Sequence, residues 1–138
     1  MAASHLDAAP IAIANTQPLA FGRFVAATGS VTISPIGVRS ASGGIVLLQT
    51  GPGQAAQFIV SGDANATYAV TLPADGTVSI TNGGYSMAIN AFTSSPSSAG
   101  VLSGSGSQTL SVGARLDVVS GQTTGAYSGS FIVVVDYN

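Results

Sequence analysis

Few side chains in this sequence can do chemistry, and the first candidate is a glycine-rich segment. Residues 51–56 (GPGQAA) follow an apolar run and match G-x-G-x-x-A, the outline of a dinucleotide-binding loop. That chemistry needs a helix directly after the glycines, because the helix N-terminus binds the pyrophosphate. Here residues 57–60 (QFIV) alternate like a strand, and Gly62 ends the run. We therefore interpret the segment as a β-turn.

The remaining candidates are a lone histidine, a short acidic loop and an ion pair. His5 is the only histidine and lies in the least patterned part of the chain, which disfavours a Ser-His-Asp triad. Asp63 and Asn65 share a loop but offer too few carboxylates for a calcium cage of about six to eight oxygens. Arg115 and Asp117 share one face of a predicted strand and should form a solvated surface pair. We expect no enzymatic activity, no metal site and no cofactor.

Composition excludes further classes. The 138 residues include three Arg and five Asp, without Lys, Glu or Cys, and carry a net charge of −2. The missing Lys removes P-loop and Schiff-base chemistry, and the missing Cys removes thiolate zinc sites and disulfides. Three isolated arginines do not form the basic stripe that nucleic acid requires. The longest apolar run is about five residues, against ~20 for a membrane span, so we expect no membrane insertion.

The apolar pattern favours strands throughout. Apolar and polar residues alternate in short runs separated by Gly, Pro, Asn and Asp at the spacing typical of sandwiches. Residues 78–81 and 85–87 around Asn82-Gly83-Gly84 predict a tight hairpin. Residues 93–107 are nearly low-complexity and predict a flexible loop or a weak edge strand, with a ligand-binding loop as the alternative. We predict an all-β, immunoglobulin-like β-sandwich of seven to nine strands, which is either complete in itself or incomplete and completed by a donor strand.

The last strand is apolar on both faces. Alternate residues fall on one face, and Ile132 and Val134 make much of the opposite face apolar as well. Such a strand is normally central in a sheet or covered by something else. At the end of a chain it should have a partner on each edge, or it becomes an aggregation hazard. The residues of the first face are Tyr127, Phe131, Val133, Val135 and Tyr137.

This end of the sequence resembles the C-terminus of bacterial pilus subunits of the chaperone–usher pathway. Tyr137 is penultimate and Gly125 is fourteenth from the end, with alternating apolar residues between them, as in those subunits. Residues 19–24 (LAFGRF) and 56–62 (AQFIVSG) resemble a largely uncharacterised, cysteine-free family of secreted pilin-like domains. With that family included, the resemblance covers most of the chain.

The resemblance implies a sandwich that lacks its last strand and has a groove beside the C-terminal strand. A periplasmic chaperone would fill the groove first, at an outer-membrane usher, and the N-terminal segment of the next identical subunit would replace it. The physical basis is β-augmentation, and the head-to-tail link propagates instead of closing. The implied location is the surface of a Gram-negative bacterium, as a fimbrium, with the signal peptide absent from this sequence.

The donor segment has to come from the N-terminus. Ile11 and Ile13 share one face of an alternating run, and Leu6 and Ala8 lie upstream. Residues 1–15 are therefore predicted as an N-terminal extension or donor strand, with an overlap into the first strand allowed, and residues 16–138 as the sandwich. The alternative is that Ile11 and Ile13 begin this domain's own sheet. The corresponding alternative function is a self-contained secreted β-sandwich, an adhesin or binding module for a surface, glycan or protein partner.

Overall fold

The computed structural model describes residues 10–82, 85–119, 125–129 and 131–138, and these residues form strands and loops without any helix. Accordingly, no helix in these ranges is long and apolar enough to cross a membrane. The described strands are β1 Ala12–Gln17, β2 Leu19–Val25, β3 Gly29–Ile33, β4 Arg39–Gly43, β5 Val46–Leu47, β6 Ala56–Ser61, β7 Thr67–Thr71, β8 Val78–Asn82, β9 Tyr85–Ser95, β10 Ala99–Val101, β11 Ser107–Val118, β12 Gly125–Gly129 and β13 Val134–Tyr137.

The largest sheet has seven strands and is built around β11. The first half of β11 pairs with β6 and its second half with β3, which gives the strand order β1-β6-β11-β3-β4. On its other edge β11 pairs with β9, and β9 pairs with β8. Two smaller sheets have the orders β10-β7-β13 and β12-β2-β5. Every pairing is antiparallel, and the sheets form a sandwich-like arrangement, so the predicted all-β sandwich class is confirmed.

The core lies between the sheets and follows the predicted alternation. Inward positions of β11 are buried at every second residue, from Leu110 to Val118, while Ser111 and Arg115 between them stay partly exposed. The largest fully buried side chains come from six strands and one loop: Tyr68, Phe21, Phe24, Leu19, Ile33, Met87, Ile89, Leu102, Leu110, Leu116, Val31 and Val60.

The strand count differs from the predicted seven to nine because bends and bulges divide the chain. Pro18 alone separates β1 from β2, which belong to different sheets. In the opposite sense, the runs 110–112 and 116–118, predicted separately, form one strand. Gly113 joins them, and a Cβ there would collide with the carbonyl oxygen of Ile33 on β3. The glycine is therefore set by a close approach between backbones and does not mark a turn.

One local prediction is met and a second is met in part. β8 and β9 form the expected hairpin, with Asn82 opposite Tyr85. In the Ser-rich stretch 93–107, Ala99–Val101 forms the short edge strand β10, which pairs with β7, but residues 93–95 belong to the long strand β9 and pair with β11.

Candidate functional site

The N-terminal strand β1 pairs with β6 of its own chain. Its register runs from Ala12 opposite Ser61 to Gln17 opposite Gln57, with an irregularity between Asn15 and Gln17. The predicted boundary between residues 15 and 16 therefore lies inside a strand. Beyond β6, no other described strand pairs with β1, so β1 is an edge strand.

Side chains of β1 also bind the backbone next to β6. The amide nitrogen of Asn15 donates to the carbonyl oxygens of Gln17 at 2.9 Å and Gln57 at 3.0 Å. The amide nitrogen of Gln17 donates to the carbonyl oxygen of Ala55 at 2.9 Å. These bonds reach only backbone atoms, so another copy of the same segment can make the same set.

The predicted donor residues divide into two groups. Ile11 and Ile13 are partly buried and pack against the core of their own domain. Leu6 and Ala8, like His5, lie outside the described residues. In this structure Ile13 thus belongs to the domain's own first strand, which is the arrangement that the sequence left open as an alternative to donation.

The last strand is divided in two, against the prediction of one strand from Tyr127 to Tyr137. Gly125 and Tyr127 lie in β12, where their backbones are opposite Phe24 and Gly22 of β2. The side chain of Tyr127 lies outside the described part of the structure. β13 begins at Val134 and pairs with β7 in another sheet.

The inward face of the last segment matches the predicted alternation. Val133 and Val135 are buried, and Ile132 and Val134 on the other face are exposed. The ring of Phe131 lies 4.8 Å from that of Phe92 and 6.1 Å from that of Phe58, measured between centroids. These rings tie the start of the segment to the core.

Tyr137 holds the end of β13 against a loop. Its hydroxyl oxygen accepts a hydrogen bond from the backbone N–H of Asp63 at 2.9 Å. Gly62 beside it has no room for a Cβ, which would meet the Tyr137 hydroxyl. The Asp63–Asn65 loop is thus a turn closed by backbone bonds, including Ala66 N–H to the carbonyl of Asp63 at 3.3 Å. In the described part of the chain, no group of three His, Cys, Asp or Glu is placed to hold a metal ion.

A central position for the last strand, expected from its two apolar faces, is wrong. Both β12 and β13 are outer strands of three-stranded sheets. β13 pairs with β7, and it also comes close to β1 without pairing with it. The structure therefore brings the predicted donor segment beside the predicted acceptor strand within a single chain.

An open cleft of about 820 Å³ lies at the start of β13. Leu72, Val78, Phe131, Ile132 and Val134 supply its apolar lining, together with hydroxyl groups from threonine and serine. Ile132, which is 80% exposed, and Val134 give this end of the molecule an uncovered apolar surface. The chemistry that such a surface offers is non-covalent docking of an apolar segment.

Arg39 is a structural residue that the sequence did not single out. Its guanidinium donates to the carbonyl oxygens of Phe21 at 3.1 Å, Arg23 at 2.9 Å and Leu48 at 2.8 Å. Burial lowers the pKa of Arg39 from its ordinary value, because desolvation disfavours the charged form. Gly22 lies at this point with a φ of 78°, and a Cβ there would collide with backbone and with Arg39. The only sequence signal for this contact is Gly22 in the FGRF run, and it is weak.

The predicted Arg115–Asp117 pair is present and belongs to a wider network. The guanidinium Nε of Arg115 lies 2.9 Å from Asp117 Oδ1, and Asn90 donates to Asp117 Oδ2 at 2.7 Å. The hydrogen bond that Arg115 donates to Asp117, together with the negative charge of Asp117, raises the pKa of Arg115. Asn90 also accepts from the backbone N–H of Gly76 at 2.8 Å, so the network fixes the loop before β8.

The glycine-rich segment is followed by strand β6 and not by a helix, but the turn lies at residues 49–50, just before the segment where it was predicted. Gln54 within the segment forms a bridge with Ala20. Gly53 has a φ of 78°, which is typical of glycine in a turn.

Comparison with known proteins gives one match. The family model described as "Domain of unknown function (DUF4402)" covers residues 11–137. No curated protein matches the sequence significantly. No solved structure matches it significantly either. Because the match extends over nearly all the described residues, from the start of β1 to the end of β13, the chain belongs to the DUF4402 family of domains of unknown function.

Proposed function

We propose that this protein is a structural subunit of a bacterial extracellular filament, assembled by exchange of its N-terminal strand between identical subunits. In the free subunit β1 occupies the position beside β13. In the filament the β1 segment of one subunit takes that position in the next. On this proposal the subunit is secreted by a Gram-negative bacterium, with a periplasmic chaperone and an outer-membrane usher as candidate assembly partners, and functions in adhesion and biofilm formation.

The observation that carries the proposal is the way β1 is attached. It is an edge strand joined to β2 by Pro18 alone, and it makes its strand pairing only with β6 among the described strands. A strand attached by so short a hinge is prone to exchange between copies, since the exchanged contacts equal the original ones. A head-to-tail exchange does not close on itself and so builds a fibre.

The scarcity of charged residues on β1 and β13 supports the same proposal. Edge strands of monomeric proteins are usually protected by charged side chains. Along β1 there is no charged residue, and β13 carries only Asp136. Such edges suit a subunit whose neighbours cover them.

Engineered disulfides test the exchange directly, because the natural chain has no cysteine. Ala14 on β1 is opposite Ile59 on β6, and both are exposed. Opposed residues on antiparallel strands lie about 4.5–5.5 Å apart, within disulfide range. In assembled material, oxidation of a mixture of Ala14→Cys chains and Ile59→Cys chains should link the two into a covalent dimer. The double variant should give a ladder of multimers.

A second pair provides the control. Thr109 on β11 is also opposite Ile59, and this pair stays within one chain whether or not β1 exchanges. Thr109→Cys/Ile59→Cys should therefore form an internal disulfide only. If the Ala14/Ile59 double variant also forms only an internal disulfide in assembled protein, the exchange proposal is wrong.

The second candidate function is a self-contained β-sandwich that works as an adhesin or binding module. The pairing of β1 with β6 of its own chain favours it, because that pairing completes the sheet without a partner. A stable monomer at high concentration, with only internal crosslinks, is the result expected from this alternative.

A further inference from the structure

A small polar recess lies on the outer face of the seven-stranded sheet, away from the cleft beside β13. Its volume is about 280 Å³. The floor is a row of four side chains from neighbouring strands, in which Gln17 is opposite Gln57, Gln57 is opposite Ser111, and Ser111 is opposite Ser95. Adjacent strands are about 4.8 Å apart, so these amides and hydroxyls form a regular line.

Two loops make the walls of the recess. One is the tip of the β3–β4 hairpin, Pro35 to Gly37, where the side chain of Ile36 is 83% exposed. The other is Gly53 to Ala55. The second wall is held in place by the amide of Gln17, which donates to the carbonyl of Ala55, and by the amide of Gln54, which donates to the carbonyl of Pro18 at 2.9 Å.

Several polar groups of the recess are available to a ligand. Within the described residues, the side chains of Gln57, Ser95 and Ser111 make no hydrogen bond to protein. They provide both donors and acceptors, since an amide and a hydroxyl can each do both. The amide oxygens of Gln17 and Gln54 add two acceptors.

The lining selects the class of ligand. No lining residue is ionisable, so an anion or cation bound here would lose water without gaining a counter-charge. The backbone groups beneath the row are used in sheet pairing, so a peptide strand could not add to the sheet here. Side-chain donors and acceptors beside an exposed aliphatic residue suit a ring that has hydroxyl groups at its edge and C–H groups on its face.

We propose that this recess binds one ring of a neutral saccharide, with Gln57, Ser111 and Ser95 hydrogen-bonding its hydroxyl groups and Ile36 packing on its C–H face. The volume is just below the roughly 300–1,000 Å³ of sites for drug-sized ligands, which fits a single ring. The recess goes beyond the filament proposal, because three of its four floor residues, on β6, β9 and β11, stay in place when β1 exchanges, and an exchanged β1 in the same register supplies an equivalent Gln17.

Saturation-transfer difference NMR tests this proposal on monomers and filaments alike. The probes are maltotriose and triacetylchitotriose as neutral sugars, trigalacturonic acid as a charged sugar of the same length, and a Gly-Ser peptide as a neutral non-sugar. At least one neutral sugar should bind saturably, with a dissociation constant on the order of 1 mM for a site with few hydrogen bonds.

Variants place the binding in the recess. One ordinary hydrogen bond corresponds to about a five-fold change in affinity, so Gln57→Ala/Ser111→Ala should weaken binding roughly 25-fold. Thr109→Ala is the control, because Thr109 is exposed on the same strand two residues from Ser111 but does not line the recess. The proposal is overturned if neither neutral sugar binds. It is equally overturned if the acidic sugar or the peptide binds as well as they do, or if Thr109→Ala weakens binding as much as the double variant.

Discussion

On one edge of β11 the seven-stranded sheet has two branches: one ends in β1, which is held by β6, and the other ends in β4, which is held by β3 and by the guanidinium of Arg39. The side-chain bonds of β1 go to backbone carbonyls of β6 and the residue before it. Those of Arg39 connect β4 to β2 and to Leu48, which belong outside the sheet. One end is thus attached to a single neighbour, and the other is tied across the sandwich.

The difference bears on which strand can be exchanged. Releasing β1 breaks one ladder and uncovers Ile11 and Ile13, and an identical segment restores all of these contacts. Releasing β4 breaks its ladder with β3 and also leaves three carbonyl oxygens of other elements without their charged donor, so it costs more than releasing β1. The structure therefore has one replaceable end and one fixed end.

The largest loss of stability is expected from a charge placed in the core on β13, the strand that lies close to β1. Val135 on β13 is buried and opposite the buried Val70. Val135→Asp should lower the free energy of unfolding by about 4 kcal/mol, because a buried carboxylate has no partner there. Urea unfolding measures the loss. Val134→Asp is the control, since Val134 is 45% exposed, and it should cost less than about 1 kcal/mol. Equal losses would contradict the assigned faces of β13.

Removing β1 should lower the free energy of unfolding by less than Val135→Asp does. Deletion of residues 2–15 removes two partly buried isoleucines and most of β1, an expected loss of about 3 kcal/mol. A peptide of residues 9–17 (APIAIANTQ) should raise the melting temperature of the truncated protein, because it binds only the folded state.

A matched peptide decides whether the rescue is specific. With Ile11→Asp and Ile13→Asp, the peptide has the same length but cannot place apolar side chains against the core, and it should not raise the melting temperature. If truncation leaves melting unchanged, residues 2–15 are a tail and the comparison between the two ends fails.

Loss of the Arg39 guanidinium, which ties β4 across the sandwich, should lower the free energy of unfolding. Arg39→Met keeps much of the side-chain length but leaves the carbonyls of Phe21, Arg23 and Leu48 without this donor. We expect a loss of about 2 kcal/mol, since water can replace some of the bonds at a partly exposed site. Arg23→Met is the control, because Arg23 is exposed and its guanidinium makes no hydrogen bond within the described residues. An Arg39→Met variant as stable as the Arg23→Met control would show that β4 is held by its ladder alone.

Alternation in the sequence was enough to place the strands that form the core. Val31 and Ile33, or Leu116 and Val118, are buried where period two predicts, because a strand that covers a core exposes every second residue. The ion pair of Arg115 and Asp117 was also predictable, since residues two apart on a strand share a face.

Pairing partners were not predictable in the same way. Two apolar faces suggested that the last strand was central, yet β12 and β13 are outer strands, because the chain changes sheets between them. Arg39 was missed because its partners are backbone carbonyls, which every residue has. The recess was missed because Gln17, Gln57, Ser111 and Ser95 are far apart in sequence and come together only through strand register.

The smallest loss of unfolding free energy should come from removing a single polar side chain on β1 or on β4. Asn15→Ala removes two exposed hydrogen bonds from β1 and should cost about 0.5–1 kcal/mol. At the other end Ser42→Ala removes the 2.7 Å bond between the hydroxyls of Ser42 and Ser30, at a similar or smaller cost. The two variants should nevertheless differ in assembly. Asn15→Ala weakens only the strand that exchanges, so crosslinking between Ala14→Cys and Ile59→Cys chains should become faster, whereas Ser42→Ala should leave its rate unchanged. Equal acceleration by both variants would mean that the whole sheet opens before β1 moves, and that the two ends do not differ in the way proposed.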